Sequence, residues 1–211
     1  MNDKNRIRDY GEVFTQKKEV DSILDLVKNE TLNLESRFLE PACGDGNFLV
    51  EILFRKISIL NSKFKSNKLD FERNSILALS SIYGIDILND NIIKLNERLL
   101  KIFTDNYNNC FGEINSNFLK SLKYILKKNL KFGDALSYKI PKTDDFIIFS
   151  EWSIVNIDYV KRRDFTFKDI MAYQPIDGPN LFSDLGENAF IPTPIKDYPL
   201  KHYLKLYEQK D

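Results

Sequence analysis

Apolar residues along the chain recur with two alternating periods. Between residues 17 and 28, Val20, Ile23, Leu24 and Val27 stand at helical spacing. A short, partly apolar run at 36–40 then meets Pro41 and a glycine-bearing turn, which predicts a buried strand and a loop. The helical period returns over 46–60, with Phe48, Leu49, Ile52, Leu53 and Ile57 on one side. A polar run rich in Lys, Ser and Asn predicts an exposed break at 61–68, and a helix follows at 71–80. The run 82–87, bounded by Asn89 and Asp90, predicts the next strand, and Asp90 is placed to cap a helix over 90–103. An Asn-rich loop over 106–117, a basic helix over 118–128 and a short strand over 130–132 come next. The strongly apolar 146–149 predicts a central strand.

Strands alternating with helices predict an α/β fold with a doubly wound, mostly parallel sheet. Right-handed crossovers place its ligand at the carboxyl ends of the strands. After Ser150 the pattern weakens. Lys161, Arg162 and Arg163 form a basic cluster, and from Asp177 onward Pro, Gly, Asn and Asp dominate, with a short helix expected near 200–208. The expected organisation is a ligand-binding domain over 1–155 and an irregular extension over 156–211 packed on it.

Composition narrows the chemistry. A chain of 211 residues that is 43% hydrophobic suits one well-buried domain. Its 31 basic and 31 acidic residues balance, so a nucleic-acid partner would need a local basic patch. Two cysteines, Cys43 and Cys110, and one histidine, His202, offer neither zinc spacing nor a histidine triad, so no metal is expected. With a polar start at 2–8 and no long apolar run, the expectation is a cytoplasmic protein without a membrane contact.

The densest candidate chemistry is the string Phe38-Leu39-Glu40-Pro41-Ala42-Cys43-Gly44-Asp45-Gly46-Asn47-Phe48. Gly44 and Gly46 let the backbone approach a ligand and adopt angles closed to other residues. The helix that follows offers unpaired N–H groups. Upstream stands Tyr10-Gly11-Glu12-Val13-Phe14-Thr15-Gln16, where Phe14 and Thr15 suit either a ligand lid or a helix cap with a hydrophobic staple. Tyr83-Gly84-Ile85-Asp86-Ile87 ends its strand in an acid able to accept two hydroxyls, or to cap the next helix. Phe132-Gly133-Asp134-Ala135-Leu136 follows the third strand, and there Asp134 suits a ligand or a plain turn.

In this order the four strings resemble those of the adenine-specific (N6) DNA methyltransferases of restriction-modification systems, over roughly residues 10–150. The resemblance implies a Rossmann-like sheet of the class I S-adenosylmethionine-dependent methyltransferase type. It implies S-adenosylmethionine as cofactor, held by Phe14, Thr15, Glu40, Pro41, Ala42, Cys43, Gly44, Gly46, Asn47, Phe48, Asp86, Ile87, Asp134, Ala135 and Leu136. Gln16 stands where the family's lid string has Pro.

The family's Asn/Asp-Pro-Pro-Tyr/Phe string does not occur here. It should end the fourth strand, where an Asn oxygen and a carbonyl accept the adenine amino protons and favour a tetrahedral nitrogen in the transition state. An aromatic ring stacks on the flipped base. Here 145–149 runs into Ser150-Glu151-Trp152-Ser153. Three readings stand. The chain binds cofactor without methylating alone; or Ser150 and Glu151 accept the substrate protons while Trp152 stacks the base; or the segment is structural, with Trp152 buried. The sheet is expected to be truncated after the fourth strand, leaving too little chain for a target-recognition domain. DNA recognition would then need a partner subunit or a second copy, in a homo- or hetero-oligomer. RNA or protein remains open as substrate.

Overall fold

The computed structural model describes residues 15–172 and 192–210. Helices α1 (Lys17–Asp25) and α2 (Lys28–Thr31) lead into strand β1 (Phe38–Glu40). Then come α3 (Asn47–Phe64), α4 (Lys68–Ser80), β2 (Ile82–Asp86), α5 (Asn89–Phe111), α6 (Ser116–Asn129) and β3 (Leu130–Phe132). The three strands form a parallel sheet in the order β1-β2-β3, with Glu40 opposite Gly84 and Asp86 opposite Phe132. Every residue of β2 is buried, which explains its nearly unbroken apolar run. The α/β expectation thus holds as a mixed fold with a three-stranded parallel sheet.

The helices close over the sheet through one continuous core. Leu49, Leu53 and Leu60 of α3 pack with Leu95, Leu99 and Phe103 of α5 and with Phe118, Leu122 and Ile125 of α6. Two helices run beyond their predicted ends, and the first is α3, which continues to Phe64 into the break expected at 61–68. α5 continues to Phe111, through residues expected to be a loop. Tyr107 is fully buried, Phe111 packs edge-on against Phe71 with ring centroids 4.9 Å apart, and Asn106 exchanges side-chain hydrogen bonds with Asn61. These contacts outweigh the loop preference of an Asn-rich segment. Gly112, at φ 76°, ends the helix.

The fourth strand corrects the sequence reading. β4 (Ile148–Val155) does not extend the parallel sheet; it pairs antiparallel with β5 (Tyr159–Thr166), with Ser150 opposite Asp164 and Trp152 opposite Arg162. Asn156 and Ile157, at φ 52° and 58°, make the turn. Short strands β6 (Lys196–Asp197) and β7 (Lys201–His202) also pair with β5. The doubly wound arrangement expected at this point is therefore replaced by a second, antiparallel sheet. Residues 159–171, expected to be irregular, form β5 and helix α7 (Phe167–Met171), the latter capped by Thr166. The expected 155/156 division falls inside the hairpin. A 3-10 helix (Tyr203–Glu208) closes the chain near the predicted position. Residues 173–191, which hold most of the Pro- and Gly-rich stretch, lie outside the described residues. Among the described residues no helix is long and apolar enough to cross a membrane.

Two buried charges fasten the helices. Glu72 on α4 accepts hydrogen bonds from Tyr107 of α5 at 2.5 Å and from Tyr203 of the 3-10 helix at 2.8 Å. Lys56 on α3 is fully buried and donates to the carbonyls of Asn33, Leu34 and Ser36 at 2.9–3.0 Å, which fixes the approach to β1. Burial lowers Lys56 to about 7, against a smaller opposing pull from the Glu30 charge. The unfolded chain, with the ordinary value of 10.5, holds this proton more tightly than the folded one. The Lys56 contribution to stability therefore rises with pH across the window from about 7 to 10.5. Lys56→Met is expected to remove that rise and, by stranding three carbonyls, to cost about 3 kcal/mol at neutral pH. Urea unfolding of both proteins at several pH values checks this; parallel pH profiles for the two would contradict it.

Candidate functional site

The carboxyl ends of β1, β2 and β3 carry the glycine loop and two acids. The loop leaves β1 after Glu40 and is stitched to β2 by Cys43 N donating to Ile85 O at 2.9 Å. It turns through Gly44 and Gly46, at φ 53° and 90°, both in the left-handed region. A Cβ on Gly46 would lie 2.1 Å from Leu95 Cδ1, so α5 packs directly against the turn. A Cβ on Gly44 would meet nothing within 4 Å, so the backbone there borders open space. Gly46 is also the N-cap of α3 and supplies no side-chain cap to its first turn. Such a turn attracts anionic or hydrogen-bond-accepting groups.

Asp86 organises this edge. Its Oδ2 accepts Gly44 N at 2.8 Å, while its Oδ1 accepts Leu88 N at 2.8 Å and Asn91 Nδ2 at 3.2 Å. Gly133 N donates to the Asp86 carbonyl at 3.0 Å, which ties in the end of β3. An ionised carboxylate offers about four acceptor positions. Three are filled by protein donors, which leaves one on Oδ2.

The other predicted residues are placed as follows. Glu40 is half-buried; burial raises its carboxyl, and the Ala42 N–H draws it partly back. Pro41 and Ala42 are exposed, while Cys43 is buried. Burial, then the charges of Asp86 and Glu40, push the Cys43 thiol up, so it stays protonated and inert. Asn47 serves the loop itself: its Nδ2 donates to Thr15 O at 3.3 Å and its Oδ1 accepts Arg98 Nη1 at 2.9 Å. Phe48 packs against the core. Ile87 is half-exposed beside Asp86, and Leu136 is 91% exposed beside Asp134. Asp134 closes a turn, with Oδ1 accepting Leu136 N at 2.9 Å and Oδ2 accepting Ser137 Oγ at 2.7 Å. The Ser137 hydroxyl, followed by the Leu136 N–H, holds its carboxyl below the usual range. Ala135 packs against the cluster of Ile85 and Ile147. Phe14 lies outside the described residues; Thr15 is half-buried, and Gln16 is the helix N-cap in its place.

Ser150, Glu151 and Trp152 lie inside β4, not beyond a strand end, and their side chains are engaged. Ser150 Oγ donates to Asp164 Oδ1 at 2.7 Å and accepts Arg162 Nε at 3.0 Å. Trp152 is buried and donates Nε1–H to Asn129 Oδ1 at 2.9 Å. Glu151 sits between Arg37 at 2.8 Å and Arg163 at 2.5 Å. Ser150 and Glu151 border a cavity of about 310 Å³ beside β1, floored by Tyr83, Phe149 and Phe167. The basic cluster is also consumed: Arg162 is buried against Asp164, Arg163 pairs with Glu151 and Lys161 with Asp197. It therefore presents no free patch to phosphates.

Two residues of this edge had no sequence signal. Asn91 braces Asp86, and Arg98 reaches back from α5 to Asn47 and to the Asp45 carbonyl at 3.2 Å. Arg98 acts from a helix remote in sequence and Asn91 across the short β2–α5 connection, and helical periodicity names neither partner. No protein-family model, curated protein or solved structure matches this chain.

The two loop glycines should respond differently. Gly46→Ala, which drives a methyl into Leu95 at a left-handed φ, is expected to cost about 3 kcal/mol. Gly44→Ala meets open space and should cost about 1–2 kcal/mol, from backbone conformation alone. Thermal melts of both variants check the order; equal losses would mean the Leu95 contact is not tight.

Proposed function

We propose that this chain is an S-adenosylmethionine-binding protein with a Rossmann-like cofactor edge of the DNA adenine-N6 methyltransferase type. The observation that carries the reading is the glycine turn at the end of β1, bordered by open space at Gly44 and braced by the acid that ends β2. The donor set fits a nucleoside with a zwitterionic tail. The uncapped first turn of α3 suits a carboxylate, and the spare position on Asp86 Oδ2 suits a ribose hydroxyl. Ile87 and Leu136 offer half-exposed and exposed apolar surface for a flat base. When bound, the cofactor would supply an electrophilic methyl group; the chain's own part is to hold and orient it.

A second reading is favoured by β4. Ser150 and Trp152 are committed to buried hydrogen bonds, and Glu151 is ion-paired to Arg37 and Arg163, so the segment is not arranged to accept amino protons beside a stacked base. On that reading the chain binds cofactor, and the acceptor groups for methyl transfer to DNA come from a partner or a second copy.

Calorimetric titration with S-adenosylmethionine tests the proposal. Saturable binding is expected, weakened by about 1.5–3 kcal/mol in Asp86→Asn. A melt of the variant separates lost binding from a loosened loop. No heat from the folded wild-type protein would overturn the cofactor reading. Incubation with labelled cofactor and mixed DNA separates the two readings: transfer by the chain alone rules out the second, and binding without transfer supports it.

A further inference from the structure

The outer face of α6 is unlike the solvent faces of the other long helices. No acid occurs between Glu113 and Asp134, while Lys120, Lys123, Lys127, Lys128 and Lys131 fall in that stretch. On other helices three lysines are paired within their own helix: Lys17 with Asp21 at 3.1 Å, Lys94 with Asp90 at 3.3 Å and Lys101 with Asp105 at 2.5 Å, each four positions apart. On α6, Lys120, Lys123 and Lys127 are exposed along one face, and no ion pair joins them to an acid among the described residues. Lys120 lies over the ring of Tyr207, 5.3 Å from its centroid, and the Tyr207 hydroxyl donates to Asn117 Oδ1 at 3.0 Å. That ring comes from the 3-10 helix packed alongside, which adds exposed Lys205, with exposed Lys210 just beyond it.

We propose that this lysine face of α6 binds the phosphate backbone of duplex DNA without reading its bases. A row from Lys120 to Lys127 spans about 10 Å at the rise of a helix, the length of about three phosphates on one strand. The helix is rigidly seated, because Phe118, Leu122, Ile125 and Leu126 are fully buried on its other side. The same burial leaves no apolar stripe to enter a lipid surface, which favours a nucleic acid over a membrane. The proposal does not rest on the cofactor reading and concerns a different face of the molecule.

The test is fluorescence anisotropy with a labelled duplex of arbitrary sequence, measured between about 50 and 200 mM salt. Wild-type affinity is expected to fall about 40-fold over that range if three phosphates are neutralised. The triple variant Lys120→Gln/Lys123→Gln/Lys127→Gln should bind more weakly at low salt, with the log–log salt slope reduced to near zero. Its melting curve should match that of the wild type, since all three side chains are exposed. Lys94→Gln/Lys101→Gln, which removes paired lysines, should leave duplex binding intact. No duplex binding by the wild type, an unchanged slope in the triple variant, or stronger retention on phosphatidylserine vesicles than on duplex would each overturn the proposal.

Discussion

One carboxylate sets the geometry of the whole upper edge of the parallel sheet. Asp86 is buried at the end of β2 and holds the glycine turn, the start of α5 and the side chain of Asn91 with its two oxygens. Its backbone carbonyl holds Gly133 beyond β3. The bond to Gly44 N, with Cys43 N donating to Ile85 O, fixes the turn after β1 against the end of β2. A buried carboxylate is tolerable only when hydrogen-bonded, and here backbone and amide donors supply the compensation. The site proposed above depends on this brace before it depends on any ligand.

The parallel half was legible because its signals are local. Helical periods, glycine turns and strand-ending acids placed β1, β2, β3 and the helices between them. What failed were the boundaries at 106–117, where the burial of Tyr107 and Phe111 overrode an Asn-rich composition. The candidate site was read at its glycines and at Asp86. Asp134 was open between ligand and turn, and the structure closes a turn with it. Asn91 and Arg98 could not be seen, because the sequence does not say which polar residue on a helix reaches across to another element.

The antiparallel half was hidden by charge. The inward positions of β5 are Val160, Arg162 and Asp164, and two of the three read as solvent-facing. They are buried because they satisfy one another: Arg162 is paired with Asp164 at 2.6 Å, bonded to Ser150 and stacked on the Tyr198 ring at 4.1 Å. An alternation of apolar and polar residues cannot be recognised when the buried polar members are partnered only after folding. The same network holds Ser150 in place, which is why a residue that seemed to end a strand lies within one.

Glu72 carries a consequence for how the molecule comes apart. Its carboxylate is shared by two phenols, one on α5 and one on the 3-10 helix, separated by nearly half of the chain's length. Loss of the 3-10 helix would take away the Tyr203 donor and leave Glu72 with the Tyr107 hydroxyl in an aromatic interior. The 3-10 helix is thus a keystone of the helical layer, and its fraying should propagate inward as a cooperative loosening of that layer.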